Sequence, residues 1–174
     1  KDVNKLLKKN IMNFAKTTIF TYEFDKKVQE YGVIQMNNKK IAIKMYEKPK
    51  YKISNLVVTG LYIFDKNVFK ESNKLKYSKR NELEIADLIN QYIEKKSIKV
   101  EKVSKKNYWI DAGTPKKIMQ ASKIIERLEN RNKSYYGYIE IIAYKMGFIN
   151  LKQFKKIIKF YRKNQYGVYL ESFL

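Results

Sequence analysis

Tyr46-Glu47-Lys48-Pro49, followed by Asn55-Leu56-Val57-Val58-Thr59-Gly60-Leu61-Tyr62, is the stretch that orients the reading of this chain. Glu-Lys-Pro ends one strand, because proline cannot donate to a ladder. A short basic link then leads to a second, apolar strand. Adjacent Glu and Lys at a strand end place an acceptor and a cation in one pocket. The carboxylate can accept from hydroxyls, and the ammonium can meet a phosphate. Taken alone, such a pair is more often a solvated surface pair, so its meaning depends on what surrounds it.

Working outward toward the N-terminus, Lys40 to Tyr46 and Tyr31 to Met36 read as two strands joined by a turn at Asn37-Asn38. Thr17 to Phe24 is β-branched and aromatic and predicts a buried strand. Val3, Leu6, Leu7, Ile11 and Phe14 recur at helical spacing. Toward the C-terminus, Ile53 to Phe64 predicts one long apolar strand. Asp65 to Ser72 predicts a short helix capped by Asp65. Glu82 to Lys96 is an amphipathic helix with Leu83, Ala86, Leu88, Ile89 and Ile93 on its apolar face. Ile98 to Val103 and Tyr108 to Ile110 read as short strands.

Thr114-Pro115 then starts a helix, a hydroxyl cap followed by proline at the first helical position. It runs to about Arg131 with Ile118, Ala121, Ile125 and Leu128 inward. Three further helical stretches follow, near 138–146, 151–163 and 165–173. Strands alternating with helices up to about residue 131 predict an α/β fold, a mixed sheet flanked by helices with a helical C-terminal tail.

The 174 residues can bury one real core. There is no long apolar run and no signal-like start, so the chain is expected to be soluble, cytoplasmic and free of membrane contact. Cysteine and histidine are both absent. Disulfides, thiolate metal sites, histidine triads and histidine-bound zinc are thereby excluded. Catalysis would have to rest on carboxylates, Lys, Arg, hydroxyls, backbone groups and a hard cation such as Mg²⁺.

A net charge of +21 invites a nucleic-acid partner. Against it, the 38 Lys and Arg include only Arg80, Arg127, Arg131 and Arg162 as arginines. Base and phosphate readers favour the arginine fork. Lys, Asn, Ile and Tyr make up about half the chain, the mix A/T-rich codons produce, and the lysines form no concentrated tail. No nucleic-acid partner is expected.

Five motifs in order carry a resemblance that covers essentially the whole chain. They are Tyr31-Gly32-Val33-Ile34, Glu47-Lys48-Pro49, Val58-Thr59-Gly60-Leu61-Tyr62, Arg80-Asn81-Glu82-Leu83-Glu84-Ile85-Ala86-Asp87 and Trp109-Ile110-Asp111-Ala112-Gly113-Thr114. Ile142-Ala143-Tyr144-Lys145 and Lys163 to Leu170 add a matching tail. In this order they resemble the sugar-binding half of a sugar-phosphate nucleotidyltransferase, and most closely the glucose-1-phosphate thymidylyltransferases.

The resemblance implies a partial Rossmann-like fold, with residues 1–131 as the sugar-phosphate-binding part and 132–174 as a helical tail. It implies conversion of glucose-1-phosphate and dTTP to dTDP-glucose and pyrophosphate with Mg²⁺, serving dTDP-sugar (rhamnose-type) synthesis in a homotetramer. The sugar phosphate would attack the nucleotide α-phosphorus in line, so no protein nucleophile is needed.

The same resemblance assigns roles residue by residue. Gly32 would let the sugar approach the backbone, where the bland alternative is a tight bend. Glu47 would accept from glucose hydroxyls and Lys48 would pair with the sugar phosphate. Val58 would offer backbone groups, though any apolar strand residue can be core. Tyr62 and Arg80 would reach the same phosphate, and Lys48 and Arg80 would be the catalytic pair. Asp111 would be one of two carboxylates holding Mg²⁺; a turn or helix-cap residue is the alternative. Trp109 would pack behind Asp111. Asn81, Ala86, Ala112 and Tyr46 depart from the residues usual in the family, beside the site rather than in it.

The family's G-x-G-T-R-L-x-P-x-T phosphate loop and its other metal carboxylate do not occur in the sequence, which opens on Lys1 rather than Met. A processed chain or a fragment is the expectation, inactive by itself and at most weakly binding glucose-1-phosphate. Another sugar-1-phosphate nucleotidyltransferase, a non-catalytic remnant or assembly subunit, and a basic nucleic-acid-binding domain are the rival readings.

Overall fold

A strand covered on both faces must be apolar or satisfied throughout, and Thr17–Glu23 (β1) is buried along its first five residues. In the computed structural model, which describes residues 3–12, 16–25, 27–78, 80–132 and 135–174, β1 pairs antiparallel with Leu56–Ile63 (β4) and parallel with Ile98–Val103 (β5). Val33–Met36 (β2) joins β4, and Ala42–Tyr46 (β3) joins β2, both antiparallel. The mixed sheet therefore runs β3-β2-β4-β1-β5.

Alternation along the strands divides their side chains between two faces. Ile19, Ile34, Met45 and Val58 pack against Ala86 and Ile89 of the helix Ile85–Glu94 (α3). On the opposite face Phe20 and Val103 meet Leu6 of the helix Val3–Ile11 (α1). Val33 and Val57 join Val28 in a third cluster that includes Tyr31 and Trp109. Between Ile19 and Thr21 the β1–β4 register shifts by two residues, so β4 keeps its facing, and Gly60 supplies a left-handed φ of 81° there.

The chain divides into two compact units, Lys1–Trp109 and Ile110–Leu174. The second is helical: Pro115–Asn132 (α4), Ile139–Lys145 (α5), Leu151–Tyr161 (α6) and Gln165–Glu171 (α7). Val68–Ser72 in the first unit is α2. Ile141, Phe154, Ile158 and Leu170 form the core of the second unit, ringed by tyrosines. Reciprocal capping between Asn150 and Gln153 starts α6. Asn164 caps α7 by accepting from the Gly167 N–H at 3.0 Å. A Cβ on Gly167 would stand 2.2 Å from the Tyr161 carbonyl oxygen, so only glycine fits where α7 meets the end of α6.

Most expected elements form, with four corrections. Asp65 does not cap α2, which starts at Val68. Its carboxylate instead accepts from the Asn67 N–H at 2.8 Å and closes a turn. Leu83 precedes α3 and is half exposed, so it leaves the apolar face. Tyr108 to Ile110 forms no strand. There Trp109 donates its Nε1–H to the Thr59 carbonyl at 3.1 Å and packs against Tyr22, Phe24 and Tyr31, which fixes the segment without a ladder. On α4, Ile118 and Ile125 are solvent-exposed rather than inward. Thr114 does cap α4, accepting from the Lys117 N–H at 3.3 Å. Phe14, the last apolar position expected for α1, lies outside the described residues.

Candidate functional site

The pleat carries most of the expected site to one face. Gly32 shares the parity of Ile34, Glu47 that of Met45, and Tyr62 that of Val58, so these three positions lie on the α3 side with Val58. Backbone hydrogen bonds lock the three strands together here. The Val58 N–H donates to the Gly32 carbonyl at 2.8 Å, and the Lys48 N–H donates to the Tyr31 carbonyl at 3.2 Å. A Cβ on Gly32 would lie 2.9 Å from Met45 Cε and 3.0 Å from Glu47 Oε2. The Glu47 carboxylate thus stands directly over bare backbone, and the glycine is there because a side chain would push it away.

Tyr62 is half-buried and stacks on Phe64 with ring centroids 5.7 Å apart. Burial, and then the charge of Glu47, raise its phenol above its usual value. Lys48 has a left-handed backbone, φ 43°, which swings the chain out of β3 ahead of Pro49. Its ammonium lies 4.0 Å from Glu47 Oε1 with more than half the lysine side chain exposed, a pair that stabilises the fold little.

Arg80 is presented by a tight turn. The Ser78 N–H donates to the Glu82 carbonyl, the Asn81 N–H to the Ser78 carbonyl, and the Arg80 N–H to Ser78 Oγ at 3.1 Å. Asn81 takes φ 58°. Asparagine tolerates that conformation better than other residues with a Cβ, which accounts for its standing where the resemblance leads one to expect glycine. The guanidinium engages Glu84 side-on, Nε to Oε1 at 3.1 Å and Nη2 to Oε2 at 2.7 Å. Its end-on edge, Nη1 with the second Nη2 proton, has the fork geometry that suits a phosphate.

Hydrogen bonding to Glu84 raises the Arg80 value, helped by the charges of Glu84, Glu82 and Glu47. Conversely, the hydrogen bond from Arg80 holds the Glu84 carboxyl below its ordinary range, and Lys48 adds to this. Glu84 occupies the cap position of α3 without capping it; its carboxylate is committed to Arg80.

An open depression of about 610 Å³ lies on this face, lined by Glu47, Lys48 and Arg80 together with Ser78, Glu84, Ala86 and Asn90. Three expected residues therefore meet in one recess. Gly32, just ahead of β2, lies beneath Glu47, Val58 of β4 donates to the Gly32 carbonyl, and Tyr62 lies within reach of the Glu47 charge. Ser78 and Asn90 escaped the sequence reading, and Glu84 entered it only within the Arg80 motif, without a role of its own. That role could have been found, since Glu84 stands four residues after Arg80 on a helix start, the spacing of an ion pair. Asn90 gives no such signal. It pairs with backbone, its Oδ1 accepting from the Met45 N–H at 2.8 Å and its Nδ2 donating to the Met45 carbonyl at 3.0 Å.

Asp111 belongs to the second unit. Its Oδ1 accepts from the Gly113 N–H at 3.1 Å and its Oδ2 from Lys117 Nζ at 2.7 Å. This is a turn-closing and helix-start arrangement. Among the described residues no group of three or more carboxylates or other metal-binding side chains could hold a metal ion. The described residues therefore do not by themselves fit a complete magnesium site. Among them, too, no helix is long and apolar enough to cross a membrane.

A mixed sheet with helices on both faces, and a Glu-Lys-Arg recess beside the end of its edge strand β3, agrees with the nucleotidyltransferase resemblance. The chain belongs to the nucleotidyl transferase family, whose model matches residues 1–128. A glucose-1-phosphate thymidylyltransferase from Neisseria meningitidis is 32% identical over 153 residues, 88% of this chain and 53% of that protein. The bifunctional protein GlmU of Methanocaldococcus jannaschii is 35% identical over 115 residues, 66% of this chain and 27% of its own length. A solved structure from Bacillus anthracis, assigned as a glucose-1-phosphate thymidylyltransferase and holding a sucrose, superposes with a TM-score of 0.61 at 30% identity. It is covered over 49% of its length by 71% of this chain. The chain spans about half the length of the thymidylyltransferases it matches.

Proposed function

We propose that this chain is the sugar-phosphate-binding portion of a glucose-1-phosphate thymidylyltransferase. The whole protein would convert glucose-1-phosphate and dTTP to dTDP-glucose and pyrophosphate for dTDP-sugar (rhamnose-type) synthesis, in the cytoplasm and as a homo-oligomer. Residues 1–131 would form the sugar-phosphate lobe and 132–174 the helical tail. The observation that carries the reading is the convergence on one face of Glu47, set over the bare backbone of Gly32, with Lys48 and Arg80.

In this reading Glu47 accepts from glucose hydroxyls, and the backbone of Gly32 and Val58 lets the ring lie close. Lys48, Tyr62 and the end-on edge of Arg80 hold the sugar phosphate, while Glu84 keeps the side-on edge. The bound phosphate oxygen is thereby oriented to attack in line, and the work of these residues is placement and charge compensation. Asp111 would supply one carboxylate toward Mg²⁺. The G-x-G-T-R-L-x-P-x-T loop does not occur in the 174 residues, so the chain by itself is expected to bind glucose-1-phosphate weakly and to release no pyrophosphate.

The test is a titration of the ¹⁵N-labelled chain with glucose-1-phosphate, alongside a pyrophosphate-release assay with dTTP. Saturable shifts at Gly32, Glu47, Lys48, Val58 and Arg80 without turnover are the expected result. Shifts confined to other residues would sink the site, and turnover would sink the expectation of inactivity. The GlmU match favours as second reading another sugar-1-phosphate nucleotidyltransferase. Stronger shifts with N-acetylglucosamine-1-phosphate than with glucose-1-phosphate would select it.

A further inference from the structure

One helix links the two arms of the recess. At its start, Glu84 holds Arg80. Less than two turns later, Asn90 reaches the other arm and pairs both of its amide groups with the Met45 backbone, at 2.8 and 3.0 Å. Met45 lies on the edge strand β3, two residues before Glu47 and three before Lys48. Its side chain is 2% exposed, so the strand is anchored in the core at this point. An edge strand presents unpaired N–H and C=O groups; Asn90 satisfies one such pair as a sixth strand would. Beyond Met45, Tyr46 makes the last pair of the ladder with Val33, and the chain then enters the left-handed turn at Lys48, whose N–H donates to the Tyr31 carbonyl ahead of Pro49.

We propose that Asn90 is a positioning residue of the sugar-phosphate site. Its amide fixes the end of β3 and so sets where Glu47 and Lys48 stand relative to Arg80. The proposal rests on the reading of these three as sugar-phosphate ligands. The residue type follows from the task. Only a primary amide carries a donor and an acceptor side by side, as a peptide group does. Asparagine has the shorter reach of the two that qualify. Aspartate has the same shape and accepts from the Met45 N–H, but turns its second oxygen against the Met45 carbonyl. It therefore breaks the pairing without emptying the space.

The test compares the full chain with Asn90→Asp and Asn90→Ala by amide hydrogen exchange, glucose-1-phosphate titration and thermal unfolding. In both variants the Lys48 amide is expected to exchange at least about tenfold faster. Glucose-1-phosphate affinity falls about tenfold, or about 1.4 kcal/mol, while the Arg80 Nε–H signal stays in place. A folded Asn90→Asp protein with unchanged Lys48 exchange and unchanged affinity overturns the proposal. So does failure of both variants to fold, which makes Asn90 a structural residue only. If the wild-type chain binds no glucose-1-phosphate, the sugar-phosphate reading fails. Lys48 exchange then still decides the positioning role, supporting it if faster in Asn90→Asp and overturning it if unchanged.

Discussion

Replacing Gly32 by alanine adds one methyl group where the Glu47 carboxylate crosses the backbone. The new Cβ would stand 2.9 Å from Met45 Cε and 3.0 Å from Glu47 Oε2, with the Tyr46 carbonyl oxygen next at 3.9 Å. Both close atoms end flexible side chains, and Gly32 is outside the left-handed region, so alanine suits its backbone. Overpacking a core costs about 1–3 kcal/mol, and the pliable methionine places this case near about 1. Removing glycine's freedom from the unfolded chain returns about 0.4–1 kcal/mol. Folding stability should therefore change by no more than about 1 kcal/mol, a midpoint shift below about 8 °C.

Binding should respond far more. A hydrogen bond to a charged group contributes about 1.5–3 kcal/mol, so moving Glu47 off the sugar should weaken glucose-1-phosphate by about 10- to 100-fold. Inorganic phosphate, which the proposed function assigns to Lys48, Tyr62 and Arg80, should bind as before. Parallel NMR titrations with the two ligands and a thermal melt make the measurement. Equal weakening of both ligands, or no weakening of either, would refute Glu47 as the sugar's acceptor.

Acid should destabilise the first unit. Glu23, Glu71 and Glu84 are all held below the ordinary 4.5 by hydrogen bonds from Lys102, Lys95 and Arg80 respectively. Their contribution is complete above the unfolded value and is lost as pH falls through the lower folded values; melts at falling pH check it, and a midpoint that holds steady below pH 4 contradicts it. In the second unit, Gly167→Ala forces a Cβ to 2.2 Å from a backbone oxygen that cannot swing aside. A loss of about 3 kcal/mol is expected, read as early melting of the tyrosine-rich core while the signals of the sheet persist.

The sheet was legible because its strands carry unambiguous periods and its turns carry their usual residues. Asn37 closes the β2–β3 turn by accepting from the Lys39 and Ile41 N–H groups, and Thr114 caps α4 as the Thr-Pro pair suggests. Local rules misplace Asp65 because a carboxylate three residues ahead of a helix can close a turn as readily as it can cap. Burial of α4 was overstated because a periodic apolar stripe says which residues share a face, and nothing about whether that face is covered. Glu47, Lys48 and Arg80, singled out through their motifs, line one recess. Asn90 was invisible for a physical reason. Its partner is backbone, 45 residues away, and backbone partners leave no trace in side-chain pattern.

Lys48 itself holds the remaining tension between fold and site. A left-handed residue with a Cβ costs about 1–2 kcal/mol, and the exposed contact with Glu47 at 4.0 Å does not offset it. A conformation of this kind persists where its surroundings over-determine it, and it is concentrated at functional sites. Lys48→Gly separates the two accounts. Glycine relieves the strain but adds about 0.5–1 kcal/mol of unfolded-state entropy, so the variant should be as stable as the parent or up to about 1.5 kcal/mol more stable. It loses the cation, so inorganic phosphate and glucose-1-phosphate should both bind more weakly, by about tenfold. Stability gained with affinity lost would mean that the strained turn serves to aim an ammonium at a phosphate. Stability lost together with unchanged binding would mean that the lysine stem supports the strand end and that the phosphate is held elsewhere.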